Sequence, residues 1–287
     1  MYFKILFFVI LIGIVLQANQ ANGQGKDLFT YSSVHKVEER ESYSIFYPND
    51  LEEYAGIIVL IHSQQASNPK VYGDFIESFL RKGYVLIYPA YQDYVVSQNK
   101  TDLDFIASSL KSAEKDIMKN YDDVKKLQVA FIGHSMGGII VQELASGKVE
   151  IPWKPNCVIS VCPAEVKSHK NEDINFKNMD PYALHLIIEE EKDKFYKRGT
   201  GTAILKGISD VERKKHVVHS RDEKGASKHM NFWSPNKVFS SKNNTFVTYF
   251  PKFIGETNEI DKDFYWVEID KALECAFSRK NCDGFTK

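Results

Sequence analysis

Charge of one sign is missing from this sequence. Its 37 lysines and arginines stand against 38 aspartates and glutamates, for a formal net charge of −1. No long-range field therefore marks it as a binder of nucleic acid or of an acidic surface, and its partner is expected to be small or recognised by shape. Internal repeats, low-complexity tracts and flexible linkers are missing too, which leaves one domain rather than an array. Cysteine is sparse, at 4 in 287 residues, but 43% hydrophobic content over that length supports a large core without staples. Past Leu16 no apolar run reaches the roughly 20 residues that a bilayer span takes.

The one long apolar run comes at the start. Met1 to Lys4 precede an unbroken run from Ile5 to Leu16, and small or polar residues from Gln17 to Gln24 follow. A positive start, an apolar segment of ~12 residues and small residues at Ala21 and Gly23 are the parts of a secretory signal peptide. Residues 1–23 are read as that leader, with cleavage before Gln24 or, alternatively, after Ala18, and 24–287 as the exported domain, with no integral membrane span once the leader is gone. Export makes disulfides possible. Cys275 and Cys282 can close a small loop tying the tail to the last helix, whereas Cys157 and Cys162 are read as free buried thiols, on opposite faces if their run is a strand. The sequons at Asn99 and Asn243 are candidate glycosylation sites.

Along the domain, Val34 to Glu38 and Ser42 to Tyr47 read as an antiparallel edge hairpin. Gly56 to Ile61 is wholly apolar, the mark of a strand covered on both faces. Helical spacing follows from about Tyr72 to Lys82, another buried strand from Tyr84 to Tyr88, and an amphipathic helix from about Asp102 to Lys119. Further apolar runs lie at Cys157 to Val161 and Leu184 to Ile188, and Lys214 to His219 reads as the last core strand. Buried strands alternating with helices predict an α/β fold: a mostly parallel sheet with helices on both faces.

The chemistry concentrates at Gly133-His134-Ser135-Met136-Gly137, an instance of Gly-x-Ser-x-Gly between the apolar Val129 to Ile132 and the helix-like Ile139 to Leu144. Glycines there permit the strained strand-to-helix turn that lifts a serine hydroxyl clear of a sheet, a nucleophile elbow. A serine needs a base, and of the eight histidines His229 sits in a polar loop just beyond the last strand, with His219 next in rank. His216 and His219, three apart on a strand, point to opposite faces and read as strand-surface residues rather than a zinc pair.

Taken together, Tyr43 to Pro48, Ile57 to His62, Lys82 to Pro89 and Gly133 to Gly138 resemble the opening half of an α/β-hydrolase, nearest the group of chlorophyllases, dienelactone-hydrolase-like esterases and cutinase-like polyesterases. The resemblance implies the α/β-hydrolase fold and the chain order Ser, acid, His. Gly225 to Ser227 before His229 resembles the family's segment there, with Lys228 added. Matching the family's acid position puts Asp193 in that role, with Glu191 and Glu165 as alternatives. The oxyanion donors implied are the backbone N–H groups of Met136 and Gln64, with Ser63 the alternative to Gln64. His62 and His134 are expected to hold structure. The short polar connection from Cys162 to Leu184 leaves no room for a large lid, and Tyr91, Gln65 and Trp233 are candidate substrate walls.

The function expected is a secreted, extracellular serine hydrolase cleaving small or lipid-like carboxylic esters, with no metal or organic cofactor implied. An acyltransferase or thioesterase using the same residues, or a catalytically silent binding protein on this fold, are the alternatives.

Overall fold

A computed structural model of the chain describes residues 31–38, 41–49, 51, 53–91, 102–119, 121–164, 174–191, 193, 199–220, 229–235, 257 and 261–285. Residues 1–23, read above as a leader, and Asn99, Asn243, Glu165 and Lys228 lie outside the described residues.

Among the described residues eight strands form one sheet: β1 (Tyr31–Glu38), β2 (Glu41–Pro48), β3 (Gly56–Ile61), β4 (Tyr84–Pro89), β5 (Val129–His134), β6 (Cys157–Val161), β7 (Leu184–Glu190) and β8 (Arg213–His219). Their spatial order is β1-β2-β4-β3-β5-β6-β7-β8. The pairs β1–β2 and β2–β4 are antiparallel and every later pair is parallel. The hairpin read from sequence is therefore present, but only β1 is an edge, because β2 also pairs with β4.

Period-two alternation assigns the strand side chains to two helical layers. Ile58 and Leu60 of β3 join Ile132, Ile159 and Leu186 in a core shared with α1 (Gly73–Leu80) and α5 (Trp266–Ser278). Ile57, Val59 and Ile61 of β3 join Phe131 and Val158 in the opposite core, under α2 (Asp102–Met118) and α3 (Met136–Ala145). Around Ile187, α4 (Thr200–Gly207) closes the same side through Ile204. Continuous apolar strands are thus explained by cover on both faces.

One expectation is corrected here. Cys157 and Cys162 are both free and buried, but both join the core of α1 and α5 rather than opposite faces. The strand ends at Val161, and Cys162 takes a φ of 44°, which breaks the alternation. Burial pushes both thiols up, away from the reactive thiolate.

Cys275, inside α5, and Cys282 form a disulfide across a sequence separation of 7. The tail it ties down places Phe285 against the core, under Lys215 at 5.4 Å from the ring. Closing so short a loop constrains the unfolded chain by about 2 kcal/mol. Replacing both cysteines by serine is expected to lower the urea unfolding free energy by that amount.

Candidate active site

Backbone packing fixes the position of Ser135. It adopts φ 59° and ψ −118° between β5 and α3, a conformation costly for a residue with a Cβ. A Cβ on Gly133 would meet the carbonyl oxygen of Gly137 at 2.0 Å, and one on Gly137 would meet that of Ile61 at 2.1 Å. Both glycines are therefore required by the approach of α3 to the sheet. The Ser135 N–H donates to Val161 at 2.9 Å, and the Ala164 N–H donates to the Ser135 carbonyl at 2.9 Å. The strained Ser135 is thus held on both sides by backbone bonds where β5 passes into α3.

Beyond β8, the 3₁₀ turn His229–Phe232 brings His229 beside the elbow, its ring centroid 5.1 Å from that of His134. His229 Nδ1 lies 2.6 Å from Asp193 Oδ2. The Asp193 N–H in turn donates to Glu190 at 3.1 Å, closing the turn that follows β7. A second tether runs through His134, the residue before Ser135, whose Nε2 holds the His229 carbonyl at 2.9 Å.

The acidic run Glu189 to Asp193 is not a solvated face. Three of its carboxylates each meet an imidazole: Glu189 with His216 at 2.7 Å, Glu190 with His219 at 2.9 Å, and Asp193 with His229. Parallel pairing of β7 with β8 sets His219 opposite Glu190. Burial works to raise the Glu189 carboxyl, but His216 and the Gly201 N–H outweigh it and hold the group below its ordinary range. His219, the second candidate base, is buried between Glu190 and Phe264, whose ring centroid is 4.4 Å away. The Glu191 N–H donates to His219 at 2.9 Å. These histidines are therefore hydrogen-bond partners of the carboxylates rather than strand-surface residues, a role that depends on strand register and is absent from local sequence.

On the loop after β3, Ser63 to Ala66 form a turn closed by the Ala66 N–H to Ser63 at 3.1 Å, with Gln65 at φ 65°. The Ser63 N–H is engaged by the Tyr72 hydroxyl at 3.1 Å, whereas the Gln64 N–H has no partner among the described residues. The first turn of α3 likewise leaves the Met136 N–H outside the intrahelical ladder. Of the two donors weighed for this loop, Gln64 is the one whose amide is available.

Tyr91 and Trp233 direct their polar atoms into this loop. The Tyr91 hydroxyl donates to the His62 carbonyl at 2.8 Å, and its ring stacks on His62 at 4.1 Å. Trp233 Nε1 donates to Ser63 Oγ at 3.1 Å. Both are buried loop supports, while Gln65 is exposed. A cavity of about 210 Å³ opens on the acid side, where Cys162, Glu191, Asp193, Thr202 and His216 line it.

Among the described residues one group could be considered for a metal: His134, Cys162 and His229, whose ligand atoms lie within 4.8 Å of one another. Both nitrogens of His134 already meet partners, as does Nδ1 of His229, so the three present too few free lone pairs for a metal centre.

Burial holds three rings neutral. It lowers His62 to about 4 and His185 to about 3, and it takes His134 well below the ordinary histidine value, with His229 adding to the effect. His62 Nδ1 donates to the Ser63 carbonyl at 2.7 Å, the loop-holding role expected of it. In the unfolded chain each ring titrates near 6.5, so between that value and its folded value the unfolded state binds more protons. The stability these rings contribute is complete above about pH 6.5 and is lost as the pH falls towards 4. Urea unfolding at pH 7, 6 and 5 is expected to show a loss of about 1 kcal/mol per pH unit for each ring; a flat profile would overturn it.

No family model matches the chain, and no curated protein matches it. Solved structures do. An α/β-hydrolase enzyme from a Medee basin deep-sea metagenome library is similar at a TM-score of 0.58 and 15% identity, over 86% of this chain and 98% of its own. A structure from Klebsiella pneumoniae, assigned provisionally to the dienelactone hydrolases, is similar at 0.52 and 14% identity, over 85% and 98%. Esterase B from Lactobacillus rhamnosis, inhibited by a tributyrin phosphonate, is similar at 0.50 and 14% identity, over 84% and 89%. The chain has the α/β-hydrolase fold these structures share.

Proposed function

We propose that this α/β-hydrolase-fold protein is an exported serine hydrolase that cleaves small or lipid-like carboxylic esters. The observation that carries this reading is the 2.6 Å bond between Asp193 and His229, made beside a serine in elbow geometry. Ser135 Oγ attacks the ester carbonyl, and Nε2 of His229 takes its proton. Asp193 holds the Nδ1–H tautomer and stabilises the imidazolium that forms. The developing oxyanion is received by the N–H groups of Gln64 and Met136. His229 then protonates the departing alcohol, and water, activated by the same ring, releases the acid from the acyl-enzyme. The similarity to esterase structures supports the reaction class, and the apolar leader with the Cys275–Cys282 disulfide supports export.

Treating the purified protein with a fluorophosphonate probe tests the reading. One adduct per chain at Ser135 is expected, and an unlabelled wild-type protein would remove it.

A further inference from the structure

The residues between the base loop and the oxyanion loop form a closed set of buried polar contacts. Tyr72, at the start of α1, places its hydroxyl 3.1 Å from Ser63 N, 3.2 Å from Ser63 Oγ and 3.0 Å from His134 Nδ1. Ser63 Oγ also lies 3.1 Å from Trp233 Nε1, and His134 Nε2 lies 2.9 Å from the His229 carbonyl. Tyr72, His134, Ser63 and Trp233 are all buried.

Elementary hydrogen-bond accounting fixes the direction of every bond. A carbonyl only accepts, so His134 Nε2 carries a hydrogen. The ring is neutral, so Nδ1 offers a lone pair, and only the Tyr72 O–H can fill it. That uses the single hydroxyl proton of Tyr72. Its oxygen must then accept from both the Ser63 N–H and the Ser63 O–H, which leaves Ser63 Oγ to accept from the Trp233 N–H. The chain therefore runs Trp233, Ser63, Tyr72, His134, His229: it begins and ends on the loop of the base and passes through the residue before Gln64. The stretch after the base is pinned to the same helix start, since the Ser234 N–H donates to Val71 at 2.9 Å and the Asp74 N–H donates to Ser234 at 2.8 Å.

We propose that Tyr72 is a positioning residue, which sets the base His229 and the oxyanion donor Gln64 in mutual register through this one directed chain. The inference rests on the serine-hydrolase reading. Tyr72 touches no substrate, so its effect falls on the geometry of the transition state and not on substrate affinity.

Tyr72→Phe keeps the ring and removes the hydroxyl. On p-nitrophenyl butyrate it is expected to lower kcat about 10- to 100-fold with KM changed by less than about 2-fold. The rate of fluorophosphonate labelling at Ser135 should fall by the same factor, while the final stoichiometry stays at one adduct per chain. Ser63→Ala, which takes the Ser63 hydroxyl out of the chain, should act in the same direction, and the double variant should be no slower than Tyr72→Phe alone. If Tyr72→Phe does not fold, Ser63→Ala carries the test through the same two rates. Full kcat in either variant, or losses that multiply in the double variant, would overturn the proposal. Wild-type protein that never labels would instead remove the hydrolase reading, and this inference with it, so the two failures are distinguishable.

Discussion

Ser135→Ala is expected to lower ester hydrolysis by about 10⁴- to 10⁶-fold, to the residual rate that oxyanion stabilisation and binding alone sustain. The change removes only Oγ. Alanine carries the same Cβ at φ 59° as serine does, so the strain of the elbow is the same in both proteins. The Ser135 N–H and carbonyl keep their bonds to Val161 and Ala164. Thermal unfolding of the variant should therefore match the wild type to within a few degrees, and the loss in kcat on p-nitrophenyl butyrate reports chemistry. Activity surviving at more than about a hundredth of the wild-type rate would show that another nucleophile acts.

Asp193→Asn should be nearly as severe, at about 10⁴-fold in kcat with little change in KM. The carboxylate accepts the Nδ1–H of His229 at 2.6 Å and so keeps the ring hydrogen off Nε2, the atom that takes the serine proton in the proposed mechanism. An asparagine amide can donate to Nδ1 instead, which moves the ring hydrogen to Nε2 and disarms the base. Glu191→Gln is the control: its backbone is tied to His219, and its rate should stay within about 3-fold of wild type. A reversed pattern, with Glu191→Gln the damaging change, would transfer the orienting role to Glu191.

The fold was legible where one element carries its own signal. Gly56–Ile61 and the Gly133 to Gly138 turn are read locally, from an apolar run and from glycines that no Cβ could replace. What sequence hid depends on register. Glu189 and Glu190 look like a solvated acidic run until β7 is paired with β8, when His216 and His219 arrive as their partners. Cys162 departs from the face that alternation assigns it because a single residue at φ 44° ends the strand. Tyr72 could not be singled out as more than part of a helix, since its polar neighbours lie on two other segments and none has helical spacing from it. A serine at position 63 and a tryptophan four residues past His229 were the available hints, each a side chain with a proton to place.

The contacts that seat α3 on the sheet also bear on how this protein could be altered. Gly137 meets Ile61, and Gly133 meets Gly137, through main-chain atoms alone. The turn that carries Ser135 is therefore placed by backbone-on-backbone approach at these two points, and a side chain added at either would have to move it. Variation in search of longer acyl groups or bulkier alcohols would therefore keep Gly133 and Gly137 fixed and fall on exposed positions away from that turn. Selection would act on those positions while the turn stayed put.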